Sequence, residues 1–413
     1  MSEQQISLQK NILYNSIGNI TYFFCQWLTT ILVVRLSVGF SDAGVLSLAM
    51  SLTGSFVCIA NYGLRNYQVS DLKPLYTDGV YVATRMITCL ASLVICAVFV
   101  WANPYNEDQA LCIIAYMFIR LAEAGVDVFH GIDQKAMRMD YIGISFGLRG
   151  VGTLVVFIAS LYVLQNLFLS IVLMAVFSFF VVLCYDIPHT RRLADIRPQF
   201  DTRQIRKLLL LCFPMVMHSF LNSTLQAAPR YFLESLQSRE MLGIYASVAT
   251  PSMIIQMASS YIFSPLVGSF ARSVENRDRA DFAKLIRKCI LAILCVTALA
   301  FIAAALLGNW GLTLLFGSQI GEYVWLLYPI LLSAALAAGS WLWATVLIVV
   351  RDLKALVWGD VFGLAPTIIL SLLCIRPLGL IGTTIALIGG QIVQVVLSLL
   401  MSMHTFKRIF GQS

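Results

Sequence analysis

Apolar windows of about 20 residues follow one another along almost the whole chain, each long enough to cross bilayer hydrocarbon as a helix. They fall at 12–34, 43–63, 84–102, 109–129, 142–164, 167–185, 208–233, 243–266, 285–308, 322–350, 356–375 and 380–402, twelve in all. Lipid offers no water to satisfy backbone N–H and C=O groups, so only helices or closed barrels can span it. No strand-like alternation persists in any window, and the expected fold is all-α and polytopic. Charged residues make up 12% of the chain, about half the share of an ordinary soluble domain. That argues against a large soluble protein with buried helices.

Basic residues set the expected orientation. With the N-terminus inside, the inner segments hold Lys10, then Arg65, Lys73 and Arg85, then Lys135 and Arg138. They continue with the clusters "PHTRRLADIRPQFDTRQIRK" and "ARSVENRDRADFAKLIRK", and with Arg351, Lys354, Lys407 and Arg408. The outer ends carry Arg35, Arg239 and Arg376, while Arg120, Arg149 and Arg230 fall within spans. Both termini are therefore expected to be cytoplasmic. The net charge of +7 is scattered over inner loops facing anionic lipid and gives no sign of nucleic-acid binding. The first window opens with Asn11, Asn15 and Asn19 and lacks the short unbroken core of a cleavable signal, so it is expected to remain as the first helix. The ten cysteines lie in or at the ends of apolar windows, without CxxC spacing, and read as small hydrophobes.

The long charged connection with Pro188 and Pro198 divides the chain, giving a six-helix bundle over 1–190, a cytoplasmic connection over 191–207 and a second six-helix bundle over 208–413. Arg35 followed by "DAGVLSLAMS" and Arg230 followed by "MLGIYASVATP" are a weak internal echo. Six spans per half would make these parallel repeats, related by a pseudo-two-fold along the membrane normal.

Span seven carries a polar group at every fourth position: His218, Asn222, Gln226, Arg230 and Glu234. The row drifts about 40° per step around the helix. Span one carries Asn11, Asn15, Asn19, Tyr22, Gln26, Thr29 and Thr30 over a narrower arc. Unsatisfied polar groups in lipid cost several kcal/mol each, so these faces must look inward. They serve either as interhelical hydrogen-bonding glue or as the lining of a polar cleft between the halves. Span four holds Arg120, Glu123, Asp127 and His130 within an arc of about 80° at 100° per residue. Arg149 on span five lies at a depth similar to Glu123, and the two are expected to pair. The group reads as a structural brace or as a carboxylate site for H⁺ or Na⁺. Prolines are uneven as well. Pro74, Pro104, Pro188 and Pro198 lie in loops or at span ends, whereas Pro214, Pro229, Pro251, Pro329 and Pro366 fall inside spans, with Pro265 at the end of span eight. Interior prolines bend helices, as static kinks or as hinges. No P-loop, HExxH, GxSxG or Cys/His metal spacing is present, so neither enzyme activity nor a cofactor is expected.

Four stretches carry a family resemblance: "SDAGVLSLAMSLTGSF", "ANYGLRNYQVSD", "IRLAEAGVDVFHGIDQKAMRMDYIGISFGLRG" and "APRYFLESL" with "LGIYASVATP". Together they resemble the polysaccharide transporter family, the O-antigen and capsule repeat-unit flippases of bacterial inner membranes. That family belongs to the multidrug, oligosaccharidyl-lipid and polysaccharide exporter superfamily, with the MATE exporters and lipid II flippases. The resemblance implies alternating access and a central cationic cleft for an undecaprenyl-pyrophosphate-linked oligosaccharide. Arginine suits phosphate oxygens, pointing to Arg35, Arg230 and Arg65. Asn15, Asn19, Gln26, His218, Asn222 and Gln226 are the polar groups suited to the sugar. Coupling to H⁺ or Na⁺, and polysaccharide polymerase machinery as a partner, come with the same resemblance. The rival readings are a MATE-like antiporter of organic cations, which calls for an acidic cleft, and a membrane scaffold that transports nothing.

The orientation is directly testable. A cysteine introduced within 103–108 is expected to react with an impermeant thiol reagent added outside cells, and one within 192–200 only after permeabilisation; the opposite pattern overturns the topology.

Overall fold

The computed structural model describes residues 8–37, 39–70, 75–263 and 266–410. Lys73, Pro74 and Pro265 lie outside the described residues. Among the described residues every regular element is helical. All twelve expected spans are occupied by helix, and eleven helical stretches are long and apolar enough to cross a membrane. The remaining one is the fourth, whose apolar run is interrupted by Arg120, Glu123 and Asp127.

The contacts divide the chain into two compact units, Met1–Phe220 and Leu221–Ser413. The first contains α1 (Leu8–Leu36), α2 (Ser41–Asn61), the short α3 (Leu64–Ser70), α4 (Asp78–Ala102), α5 (Glu107–Lys135), α6 (Met139–Leu164) and α7 (Leu167–Val181). The sixth span does not stop at 185 as its hydropathy suggests. It continues through a π turn, Val182–Asp186, into α8 (Ile187–Thr190). Pro188 explains the turn: proline has no N–H to donate and its ring crowds the carbonyl four residues back, and a locally widened helix relieves both. Next comes α9 (Thr202–Leu236), which the division crosses. Asp201 starts it, accepting from the backbone N–H of Arg203 at 2.9 Å and of Gln204 at 3.1 Å.

The second unit holds the end of α9, then α10 (Arg239–Ala249), α11 (Met253–Phe263), α12 (Val267–Glu275), α13 (Arg279–Phe316), α14 (Leu327–Val349), α15 (Leu353–Leu378) and α16 (Leu380–Phe410). Prolines act differently along it. Pro251 lies in a 3₁₀ turn, Thr250–Ser252, that separates α10 from α11. Pro329 lies in the first turn of α14, where no intrahelical N–H is needed, and Pro366 and Pro377 lie inside α15.

In the first unit α1 and α6 run parallel at very close range. Asn11 donates to Met137 O at 2.6 Å. A Cβ on Gly18 would fall 2.2 Å from Gly143 O, and one on Gly150 would fall 2.8 Å from the Tyr22 Cα. Gly143 and Gly150 are seven residues apart and so share a face. Small residues let helix backbones approach where lipid provides no hydrophobic drive. α4 is stitched to the last turns of α2 by side-chain donors: Ser92 to Phe56 O at 2.6 Å and Thr88 to Ala60 O at 2.8 Å. The connection after α8 is packed rather than free. Ile196 joins a core with Tyr81, Phe129 and Leu208, and Gln199 N–H donates to Gly79 O at 2.9 Å.

The glycine crossing predicts a contrast. Gly143→Ala places a Cβ 2.2 Å from Tyr14 O and is expected to lower thermal stability in detergent by about 1–3 kcal/mol. Gly147, one turn on, has nothing within 4 Å of its Cβ position, so Gly147→Ala is expected to be neutral or to stabilise by up to about 1 kcal/mol. Equal melting temperatures for the two variants contradict the crossing.

Candidate functional site

Charge buried among membrane-spanning helices is costly unless compensated, and two separate charged groups of the first unit form around α5. The upper group begins on α1. Gln26 Nε2 donates to the Tyr22 hydroxyl at 2.9 Å, Tyr22 donates to Glu123 Oε1, and Arg120 fills Glu123 Oε2 at 2.8 Å. The expected Glu123–Arg149 ion pair does not form. Arg120 stands one turn away on the same helix and takes one oxygen, while Tyr22, brought close by the glycine crossing, takes the other. Arg149 is buried instead against aromatic faces, 5.3 Å from the Phe146 centroid and 5.9 Å from that of Tyr22, a geometry that stabilises a desolvated guanidinium.

The lower group is centred on Asp127. Arg85 NH2 lies 2.7 Å from Asp127 Oδ2 and Arg65 NH1 lies 3.4 Å from Oδ1. Arg65 also donates to Gln134 Oε1 at 3.0 Å. Arg85 donates further to Ala60 O at 2.7 Å and Asn61 Oδ1 at 3.3 Å. Only 2% of its side chain is exposed, against 24% for Arg65. The sequence reading assigns Arg85 to an inner loop; it is a buried arginine in the second turn of α4. His130 belongs to neither group and faces Asp186 at 3.8 Å. Across both groups, four arginines (65, 85, 120 and 149) stand against two carboxylates.

The other candidates are dispersed. Arg35 is exposed in the last turn of α1. Asn19 Nδ2 donates back to Asn15 O and Oδ1 at 2.9 and 3.0 Å, so this part of the α1 face bonds within its own helix. On α9, His218, Asn222, Gln226, Arg230 and Glu234 are all half-buried. Asn222 Oδ1 accepts from Gln394 Nε2 at 3.2 Å, and the same amide donates to Asp360 Oδ1 at 2.8 Å. Arg230 lies within electrostatic range of Tyr245, whose hydroxyl accepts from Thr384 at 3.5 Å. Asp360 and Gln394 are missed by the sequence reading. An acid alone in the 356–375 window is itself a signal, because an ionisable residue within a span is costly and tends to be functional. Gln391, 1% exposed, has neither amide atom bonded among the described residues.

A family model described as polysaccharide biosynthesis protein matches residues 8–274. The chain is 24% identical over 318 residues to the capsular polysaccharide biosynthesis protein CapF of Staphylococcus aureus, covering 76% of this chain and 78% of that protein. Among solved structures it is similar to an inward-facing MATE-family multidrug resistance transporter of the MOP superfamily, with TM-score 0.70 and 14% identity over 98% of this chain and 99% of that one. It is similar to the lipid II flippase MurJ in an inward closed conformation, with TM-score 0.68 and 12% identity over 95% and 89%. A third similar structure is a MOP superfamily transporter from Pyrococcus furiosus, with TM-score 0.57 and 15% identity over 98% and 96%, described as having a binding pocket of reverse polarity that suggests a different function. These structures share the fold.

The Asp127 group yields a double-mutant test. Asp127→Ala strands the buried Arg85 and is expected to cost about 3 kcal/mol of stability. Adding Arg85→Met is expected to restore much of it, because Thr88 still satisfies Ala60 O. A double variant no more stable than Asp127→Ala alone contradicts the pairing.

Proposed function

The chain belongs to the polysaccharide biosynthesis protein family, and from that premise we propose that it is a flippase for an undecaprenyl-pyrophosphate-linked oligosaccharide. The cargo is an O-antigen, capsule or related repeat unit, carried from the inner to the outer leaflet of the bacterial inner membrane by alternating access. Both termini are cytoplasmic in this reading.

The observation that carries it is the charge balance of the two groups around Glu123 and Asp127, four arginines against two carboxylates. A pyrophosphate headgroup asks for guanidinium donors in planar, bidentate geometry, and Arg65 and Arg120 keep 24% and 18% of their side chains exposed. The reverse-polarity pocket of the P. furiosus relative supports using pocket charge to separate functions on this fold. An exporter of organic cations needs carboxylates in excess, and the balance here runs the other way. Glu123 has both oxygens engaged, which favours a brace over an ion-coupling site. On α9, Arg230 supplies a headgroup contact, with Gln226 about one turn and His218 about three turns earlier on the helix for sugar hydroxyls. Arg35 supplies a second cation at the end of α1.

Reconstitution into liposomes with a lipid-linked oligosaccharide, scored by the headgroup reaching the opposite leaflet, tests this. Wild-type protein is expected to translocate the headgroup and to leave organic cations in place. Arg230→Ala is expected to abolish translocation at near-normal abundance, and Arg230→Lys to keep part of it, since the charge survives and the fork geometry does not. Cation export by the wild type, or full translocation by Arg230→Ala, overturns the reading.

A further inference from the structure

Apart from its charged groups, the first unit has a feature that the proposed transport does not use. A groove of about 1180 Å³ runs over α5, walled by α4 on one side and by α7 with its π turn on the other. Pockets for drug-sized ligands usually run about 300–1,000 Å³, so this one has room for something longer. Its walls are apolar and open outward: Met86, Phe118, Phe179 and Leu183 all line it and are exposed. Its floor includes Gly125, where a Cβ would have nothing within 4 Å, so the backbone of α5 lies bare there.

The two ends of the groove differ chemically. One end, at Cys89, Phe118 and Leu121, is apolar. The other is closed by the segment after α8 and is lined by Arg191, Arg192 and Arg197. All three are exposed, and none makes an ion pair among the described residues. One carboxylate, Asp195, lines the same end and accepts the backbone N–H of Arg197 at 3.1 Å, so the end keeps a cationic excess. Arg85 also borders the groove, but its guanidinium is committed to Asp127, Ala60 and Asn61. From Phe118 to Phe129 the floor follows α5 for about 16 Å at 1.5 Å per residue. Half of a hydrocarbon core of about 30 Å is about 15 Å. The groove therefore has the length of one leaflet, an outward-open apolar flank and a cationic end at the loop.

We propose that this groove is a binding site for a phospholipid with an anionic headgroup: one acyl chain lies along α5 over Gly125, and the headgroup phosphate pairs with Arg191, Arg192 and Arg197. Charge complementarity selects the headgroup, and the single-leaflet length selects a bilayer phospholipid over a long polyprenyl chain. Basic groups at the membrane surface attract anionic lipid, and the groove adds a fixed place for the chain. The segment 191–198 is held at its far side by Gln199 and Gly79, so lipid at this position contacts the link between the last helix of the first unit and α9.

The test uses full-length protein purified in detergent, with melting temperature read against added phosphatidylglycerol or phosphatidylcholine. For wild type, phosphatidylglycerol is expected to stabilise at concentrations at least about tenfold lower than phosphatidylcholine. The combined variant R191Q/R192Q/R197Q is expected to lose that preference. Gly125→Leu fills the open floor, and is expected to weaken stabilisation by both lipids about tenfold while the lipid-free melting temperature stays near wild type. An unchanged preference in the triple variant overturns the headgroup site, and wild-type lipid response in Gly125→Leu overturns the chain site. A polyprenyl phosphate that stabilises at lower concentration than phosphatidylglycerol, and loses the effect in Gly125→Leu, would assign the groove to a substrate-type lipid and overturn the phospholipid assignment.

Discussion

The ion pair between Arg85 and Asp127 governs the arrangement of the first unit. A guanidinium that is 2% exposed cannot remain in an apolar setting without compensation, since the desolvation of a lone charge outweighs any packing gain. Asp127 supplies the counter-charge from α5, and Ala60 O supplies an acceptor at the end of α2. One side chain thus fixes three helices at a single point. Arg65 follows from the same carboxylate: it reaches the second oxygen of Asp127 from α3, which holds that short helix against α5.

The second fastening is steric before it is polar. Gly18, Gly143 and Gly150 bring the backbones of α1 and α6 together, and at that distance Tyr22 can reach Glu123 on a third helix. A larger residue at Gly150 would meet the Cα of Tyr22 itself. The polar face of α1 is therefore spent mostly on structure, through Asn11 to Met137 O, Asn19 to Asn15 and Gln26 to Tyr22. On this helix, interhelical and intrahelical glue accounts for the groups that are bonded.

Element existence was legible in the sequence because hydropathy and helical period are local: every apolar window became a helix. Partnerships were less legible. Arg120, Glu123 and Asp127 share a face of α5, and their common face was readable. That Glu123 takes Tyr22 rather than Arg149, and that Asp127 takes Arg85 and Arg65, depends on how closely distant helices approach, which no window encodes. Arg85 was hidden because counting basic residues by side treats a buried arginine near a helix start as a loop residue. The π turn at Val182–Asp186 was foreshadowed only by Pro188. Asp360 was readable in principle as an acid within an apolar window, and its link through Gln394 to Asn222 was not.

The two units differ in what holds them internally. The first is fastened by charge pairs, whose separation in an apolar setting costs several kcal/mol. Among the described residues of the second, the interior contacts include an amide bridge, Asn222–Gln394–Asp360, and hydroxyl contacts, Thr384–Tyr245 and Thr405–Asp352. Such hydrogen bonds contribute about 0.5–1.5 kcal/mol each, more where a charged partner takes part. The second unit also contains the helix break at Thr250–Ser252, where Pro251 removes a backbone donor. Its hydroxyl neighbours Thr250 and Ser252 bond back to Ala246 O and Ala249 O, so the carbonyls near the break are satisfied by side chains of the same segment. No charged residue stands between Glu240 and Arg272, so bending there meets no charge pair of its own segment, whereas bending α5 would strain both charge groups. Of these two helical segments, the one that costs less to bend is the α10–α11 junction.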